Sequence, residues 1–249
     1  MRRWSIMYNL ISQLAENGVD YCYNYCCYYT FIPGPSRFSL LMTAFGQTLL
    51  MVLLSALISY LIAIPLGILL VTTRKGGIFQ NKAVNFILGL VVNILRSIPF
   101  FLLMFFIMPF TRLLTGAAIG VGGMIVPLVV ASAPFIARII ETALLEVDKG
   151  LLEAAKSMGS SKFQIIYKLY IPESLPAVIA SLGVSVVTIT AFSAVAGFVN
   201  GGGLGQLAQQ LGHEGNDAVI LFSAIAILVV FTQLFQMGVL ALYKKLDKK

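Results

Sequence analysis

The stretch from Ser39 to Thr73 contains no Asp, Glu, Lys or Arg. A helix needs about 20 consecutive apolar residues to cross the hydrocarbon core of a bilayer, so this stretch is long enough to cross it and to continue beyond it or tilt. Only 11% of the whole chain is charged and 59% is hydrophobic, whereas soluble domains carry about 25% charged residues. These features predict an integral membrane protein.

Four further apolar stretches follow the first, which stops at the polar turn 74–77. The second contains Arg96 and Pro99. Because proline removes a backbone donor and clashes with the preceding turn, we expect a break near Pro99. The predicted fold is therefore an all-α membrane protein with five transmembrane helices. Residues 1–37 form an N-terminal extension and residues 38–249 form the transmembrane domain, whose later spans are about 83–110, 117–140, 177–199 and 218–243.

The N-terminal extension is polar and aromatic, and polar residues interrupt the apolar run that a secretory signal needs. Its cysteines, Cys22, Cys26 and Cys27, match no zinc or haem spacing. We expect them to be incidental, with a disulfide or lipid attachment as alternatives.

The distribution of Lys and Arg predicts the orientation of the chain, because cytoplasmic loops of membrane proteins are enriched in these residues. With five spans, twelve basic residues fall on the side of the C-terminus and four on the other side, while Arg96 lies within a span. The bias places the C-terminus and the loop 141–173 in the cytoplasm and the N-terminus outside. It also explains the net charge of +7 without a nucleic-acid partner.

The cytoplasmic loop 141–173 has the pattern of two short amphipathic helices. Leu151, Ala155 and Met158 share one apolar face, and Gly159 suits the end of that helix. Ser161 and Gln164 have capping-box spacing at the start of the second. This second helix presents an apolar face and is expected to end at Pro172; the face consists of Phe163, Ile166, Tyr167 and Tyr170. The pair could cover the ends of the spans, or could dock into another protein.

The same loop carries a recognisable motif. Glu153-Ala154-Ala155, followed by Gly159 and by the pairs Ile171-Pro172 and Leu175-Pro176, resembles the EAA motif of permeases from ATP-binding-cassette (ABC) importers. The resemblance implies that segment 141–176 couples the chain to a separate ATPase, and that Glu153, Ala154, Ala155 and Gly159 carry the contact. Small side chains allow close approach of a helix, and glycine allows the turn.

Nothing in the sequence could bind ATP in the usual way, because no G-x-x-x-x-G-K-[ST] phosphate loop is present. We therefore expect no cofactor in this chain, ATP being bound by the partner ATPase. His213 is the single histidine, and neither a metal cluster nor a catalytic triad is visible. A membrane enzyme is accordingly disfavoured.

Three further motifs narrow the resemblance to the methionine importer permeases, which are small five-span type I subunits; they are 96–100 (RSIPF), 133–138 (APFIAR) and 202–206 (GGLGQ). This resemblance implies import of D- and/or L-methionine or a related amino acid, and a location in the bacterial plasma membrane. The implied partners are a second copy of the chain, two ATPase subunits, an external substrate-binding lipoprotein and membrane lipid.

Arg96, Ser97 and Pro99 are the candidates for the translocation pathway. A charge within a span is costly and usually faces a water-filled route or a partner, and a broken helix exposes backbone groups that can line such a route. The alternatives for Arg96 are a structural ion pair or a side chain that reaches an interface.

Two other transporter classes stay open. A type I ABC permease for another small solute would share every feature above. A secondary transporter would need no ATPase and often shows repeated halves and acidic residues within its spans. The predicted spans contain no Asp or Glu and no clear repeat is visible, which disfavours this second class.

Overall fold

The structure is a computed structural model that describes residues 36–246. Residues 1–35, with the three cysteines, and residues 247–249 lie outside the described part. Within it the chain is largely helical and contains no β-strand. The α-helices are α1 (Arg37–Thr73), α2 (Lys82–Ser97), α3 (Phe100–Thr115), α4 (Gly120–Leu145), α5 (Lys149–Ser157), α6 (Lys162–Ile165), α7 (Ile171–Ala196), α8 (Gly203–Leu207) and α9 (Ala218–Leu246).

Helix α1 ends where the sequence predicts. It runs through Pro65 without a break and gives way at Thr73 to a turn in which Gly76 has a φ of +86°, a conformation that glycine adopts without steric cost. The next helix starts at a side-chain cap, because Asn81 Oδ1 accepts hydrogen bonds from the backbone N–H groups of Ala83 and Val84, each at 3.2 Å.

The second predicted span is two helices rather than one. Helix α2 ends at Ser97, Ile98 has extended backbone (ψ 123°), as the residue before a proline prefers, and Pro99 precedes α3. The predicted break is therefore confirmed, and the two helices are bent by 110° at this point. Helix α3 continues beyond the predicted boundary at 110 to Thr115.

Helix α4 extends past the predicted boundary at Ile140. Pro127 and Pro134 both lie inside it, and its last residues, 141–145, include the buried carboxyl side chain of Glu141. The prediction that the hydrophilic loop starts at residue 141 is wrong. An acidic residue belongs to the end of this apolar helix because it is paired, as described below.

The prediction that the second loop helix ends at Pro172 is also wrong. Helix α6 passes into a π-helical segment, Ile166–Tyr170, and then into α7. The N–H of Ile171 donates to the carbonyl of Ile166, five residues back. A π-helical turn is wider than an α-helical one, and Pro172 follows this turn directly. The missing N–H and the ring of Pro172 therefore do not interrupt a regular α-helical turn. Residues Lys162–Val199 thus form one long helical unit.

Beyond α7 the chain turns through a 3-10 segment (Gly197–Val199), α8 and a π-helical segment (Ala208–Glu214) before α9. Asp217 marks the start of α9, since its carboxylate accepts hydrogen bonds from the N–H groups of Val219 and Ile220 at 3.1 and 3.3 Å.

Four helical units are long and apolar enough to cross a membrane, and the count rises to five if the bent pair α2–α3 is one span. The fold is therefore that of an all-α integral membrane protein. The orientation stays a prediction from charge. Only 11% of the most apolar stretch of α9 is buried within the chain, which fits a helix that faces lipid or another protein.

The chain divides into two units, Met1–Met42 and Thr43–Lys249. Of the first, the structure describes residues 36–42, which are helical from Arg37. The contacts below belong to the second unit. Its core is apolar and is formed mainly by α1, α4 and α7, with large fully buried side chains such as Met51, Leu128, Ile136 and Ile189. The predicted boundary between residues 37 and 38 stays a prediction.

Candidate functional site

Helix α5, which carries the EAA residues, has a defined start and a defined end. The Asp148 carboxylate accepts a 2.7 Å hydrogen bond from the N–H of Gly150. At the other end Gly159 has a φ of +74°; its N–H donates to the carbonyl of Lys156 at 3.0 Å, and that of Ser160 donates to Ala155 at 3.1 Å. These two bonds form a Schellman motif. The predicted glycine-terminated end is confirmed.

The two sides of α5 differ from the predicted pattern. Ala155 and Leu152 pack towards the core, whereas Leu151 is 45% and Met158 is 78% exposed. The predicted face of 151, 155 and 158 is therefore divided, because the surrounding helices decide which side of so short a helix is covered. Among the EAA residues, Glu153 and Ala154 are exposed and Ala155 is half-buried.

The second helix of the loop begins with the predicted capping box. The N–H of Ser161 donates to Gln164 Oε1 at 2.8 Å, and the N–H of Gln164 donates to Ser161 Oγ at 3.3 Å. The four apolar residues predicted for one face separate into two pairs. Tyr170 and Ile166 pack against the core, while Phe163 and Tyr167 are each 75% exposed.

The loop after α1 braces this second helix. The rings of Phe79 and Phe163 meet edge to face, with centroids 5.8 Å apart, and Lys162 Nζ lies 5.0 Å from the centroid of the Phe79 ring, within the range of a cation–π contact. The backbone N–H of Phe79 donates to the carbonyl of Thr72 at 2.9 Å. The end of the first span is thus joined to the coupling segment.

Between residues 150 and 170 of this segment, four large apolar side chains are exposed: Leu151, Met158, Phe163 and Tyr167. We call these four residues the docking patch. Exposed apolar side chains grouped on a polar surface mark sites of interaction with a protein or a membrane. The patch borders the exposed Glu153 and Ala154.

The predicted pathway residues lie at the bend between α2 and α3. Arg96 and Ser97 occupy the last turn of α2, Pro99 precedes α3, and all three are exposed in the single chain. Within residues 36–246, Arg96 forms no hydrogen bond or ion pair. No hydrogen bond joins these residues to Glu153, Ala154, Ala155 or Gly159 in the part of the chain that the structure describes.

Helix α2 has a polar and an apolar side. Asn85, Asn93 and Arg96 follow one another at intervals of eight and three residues, which places them on one face. The large exposed apolar side chains lie at other positions and suit contact with lipid or protein; they are Val84, Phe86, Ile87, Leu90, Val91 and Ile94.

Sequence reasoning missed a polar group beside this face. Arg138 Nη1 donates to Glu141 Oε2 within α4, and Arg138 Nη2 donates to Asn93 Oδ1 at 2.7 Å. The position of Asn93, three residues before Arg96, was the available signal. Glu141 was overlooked because it was assigned to the loop.

Two serines of the fourth span contact the first span. Tyr60 lies between two serines of α7, with its hydroxyl 2.8 Å from Ser181 Oγ and 3.0 Å from Ser185 Oγ. Gly183 lies against α9, where an added Cβ would be 3.5 Å from Gln236. Small residues allow such close contact between membrane helices.

The glycine-rich segment after α7 is held by α1. The N–H of Gly203 donates to Gln47 Oε1 at 2.9 Å, and the N–H of Leu204 donates to Thr48 Oγ1 at 2.8 Å. Gly203 has a φ of +75°, and an added Cβ would lie 2.5 Å from Thr48 Oγ1. This close contact was not predicted from the sequence.

No group of three or more potential metal ligands occurs among the described residues. His213 and Glu214 are exposed at the end of the π-helical segment before α9, and Glu214 Oε1 accepts a 3.4 Å hydrogen bond from Gln209.

Comparison with known proteins places this arrangement among transport proteins. The family described as "Binding-protein-dependent transport system inner membrane component" matches residues 63–249. The probable D-methionine transport system permease protein MetI of Vibrio cholerae is 45% identical over 210 residues, which cover 84% of this chain and 93% of that protein. The methionine import system permease protein MetP of Bacillus subtilis is 45% identical over 168 residues, covering 68% and 76%.

A solved structure agrees with the fold. A chain of the MetNI methionine ABC transporter in an inward-facing conformation superposes with a TM-score of 0.82 at 38% identity, covering 84% of this chain and 97% of that chain. The sequence match, the shared fold and the four or five apolar spans agree with one another. The chain belongs to the family of binding-protein-dependent transport system inner membrane components, and it is a permease subunit of an ABC importer.

Proposed function

We propose that this permease imports methionine, as the D- and/or L-isomer, or a closely related amino acid. The relatives at 45% identity are methionine permeases by name, and together with the RSIPF, APFIAR and GGLGQ motifs they support this substrate. A type I permease for another small solute is the nearest alternative, because the external binding protein of such systems has a large part in selecting the solute.

The proposed assembly is a homodimer of this chain in the lipid bilayer, with two ATPase subunits on the cytoplasmic side and a substrate-binding lipoprotein outside. ATP is bound and hydrolysed by the partner subunits, and this chain holds no cofactor and no catalytic group of its own. The likeness to a chain of the MetNI transporter supports the ATPase partner and the second copy.

The docking patch is the observation that carries the coupling role. Four exposed apolar side chains lie along α5, α6 and the π-helical segment that follows, and the patch lies next to Glu153 and Ala154. An amphipathic helix of this kind binds by laying its apolar side in a groove of a partner. Glu153, Ala154, Ala155 and Gly159 then transmit the motion of the ATPase to the spans.

The pathway role belongs to Arg96, Ser97 and Pro99. The Arg96 guanidinium lies next to a 110° bend and has no ion-pair or hydrogen-bond partner within residues 36–246. A guanidinium can bind a carboxylate through two parallel hydrogen bonds, and every amino acid substrate carries a carboxylate. The bend leaves the backbone at 98–99 outside regular helical hydrogen bonding, as in other solute routes.

Reconstitution tests the proposal. The chain is co-expressed with its ATPase subunits, placed in liposomes and supplied with the loaded binding protein, and uptake of labelled methionine is measured with and without ATP. We expect uptake only with ATP. Uptake by this chain without the ATPase would instead indicate a secondary transporter. If unlabelled methionine does not compete with the uptake of labelled methionine, the proposed substrate is refuted.

A further inference from the structure

Helix α2 is joined to the other helices of its own chain by a few polar contacts. Val92 is its buried side chain, and polar contacts fasten it near each end. At the start, Asn85 Nδ2 donates to the carbonyl of Leu70 at 2.8 Å and to Thr73 Oγ1 at 3.1 Å. Towards its end, Asn93 Oδ1 accepts from Arg138 Nη2 at 2.7 Å. These side-chain hydrogen bonds join the two halves of α2 to α1 and to α4.

The Arg138 side chain has a fixed orientation towards Asn93, because Arg138 is itself held in place. One guanidinium nitrogen donates to Glu141 Oε2 and the other donates to Asn93 Oδ1. The Glu141 side chain is 10% exposed and that of Arg138 is 29% exposed. A partly buried carboxylate that pairs with arginine fixes the planar fork of the guanidinium, so the second nitrogen points at α2.

The other end of this contact leads to the coupling segment. Glu141 lies in the last residues of α4, and only residues 146–148 separate α4 from α5. This connection is not slack, because Leu144 is buried and Val147 packs against the core. A displacement of α5 therefore reaches the end of α4, where Glu141 and Arg138 are located.

We propose that the bridge Asn93–Arg138–Glu141 is a positioning device that transmits motion of the coupling helix to the pathway bend. The inference rests on the proposed function. Arg96 follows Asn93 by less than one turn of α2, and Ser97 Oγ donates to the carbonyl of Asn93 at 2.8 Å. A shift of Asn93 with α4 thus moves the residues at the bend.

The hydrogen bond to a charged group makes this link strong enough to matter. The bond is solvent-exposed, so its contribution is that of a typical hydrogen bond, and its loss corresponds to about a fivefold change in the equilibrium between two arrangements. Within the described residues this is the hydrogen bond that joins the second half of α2 to α4. We therefore expect removal of the Asn93 amide to separate ATP hydrolysis from transport.

The test compares variants at position 93 in the complete complex with ATPase and binding protein, in liposomes. Asn93→Ala removes the acceptor from an exposed helical position, where alanine favours the helix. Asn93→Asp keeps an acceptor and adds a charge that attracts Arg138. Thr142→Ala is the matched control, because Thr142 is an exposed residue of α4 whose hydroxyl donates only to the carbonyl of Arg138.

The quantity measured is the number of methionine molecules imported per ATP hydrolysed. We expect Asn93→Ala to lower this ratio about fivefold while ATP hydrolysis stays within about twofold of wild type. Asn93→Asp should keep the ratio, and so should Thr142→Ala. Glu141→Gln, which retains the volume but releases Arg138, should resemble Asn93→Ala.

An Asn93→Ala complex that is as tightly coupled as wild type would overturn the bridge, as would Asn93→Asp losing coupling to the same extent. A parallel fall in hydrolysis and import would indicate a structural role only. These results differ from failure of the proposed function, in which the wild-type complex itself would hydrolyse ATP without importing methionine.

Discussion

Substitution of Gly159 separates two reasons for a small residue in the coupling segment. Its φ of +74° is unfavourable for any residue with a Cβ, yet an added Cβ would meet nothing within 4 Å. The cost of alanine within this chain therefore comes from the backbone alone. A left-handed conformation costs about 1–2 kcal/mol for an ordinary L-residue.

This strain is comparable with what holds the turn together. The two Schellman hydrogen bonds, from Gly159 to Lys156 and from Ser160 to Ala155, contribute about 1 kcal/mol each. Strain of about 1–2 kcal/mol lowers the ratio of native to unwound turn about 5- to 30-fold. Gly159→Ala should thus leave the turn only partly formed, while insertion into the membrane is unaffected.

Three variants distinguish strain from contact with the ATPase. Asparagine tolerates the left-handed region, alanine less so, and β-branched valine least. If strain decides, the ratio of solute imported per ATP should fall in the order Asn, Ala, Val, with Gly159→Asn near wild type. The ratio is measured in liposomes, and the amount of membrane-inserted complex is the control. If the imported-to-hydrolysed ratio instead falls with side-chain volume, so that Gly159→Asn lowers it more than Gly159→Ala, the strain argument is refuted.

Three further predictions concern other parts of the chain. Arg96→Ala should abolish most transport with the complex assembled, and Arg96→Lys should retain part of it; normal uptake by Arg96→Ala would exclude the pathway role. Gly203→Ala should destabilise the purified complex by about 2–4 kcal/mol, from its positive φ and the clash with Thr48, whereas Gly89→Ala, where space is open, should be neutral or stabilising in thermal unfolding. A reporter fused after Lys249 should be active only in the cytoplasm; activity outside would reverse the predicted orientation.

Local features of the coupling segment could be predicted from sequence. The capping box of Ser161 and Gln164 and the end of α5 at Gly159 depend on residues at most five apart, so their pattern contains the necessary information. The spans could also be found, because their apolar length exceeds anything that a soluble helix requires.

Features that depend on tertiary context could not be predicted from the sequence. The side of α5 that is covered depends on neighbouring helices, so Leu151 and Ala155 share a face by spacing but not by burial. The passage of the chain through Pro172 depends on a π-helical turn that composition does not reveal. Glu141 was assigned to a loop because the sequence does not show that its partner Arg138 contacts Asn93, which lies 45 residues away.

The hydrogen bonds between α1 and the glycine-rich segment affect how this chain assembles in the membrane. Gln47 and Thr48 cap backbone groups that lie 156 residues later in the sequence. During synthesis α1 is made first, and the backbone N–H groups of Gly203 and Leu204 have no such acceptor until the two segments meet. We therefore expect the turn at Gly203 to be among the last parts of the molecule to become ordered. A protease cleavage site placed there should become resistant to cleavage only after α7 has packed beside α1.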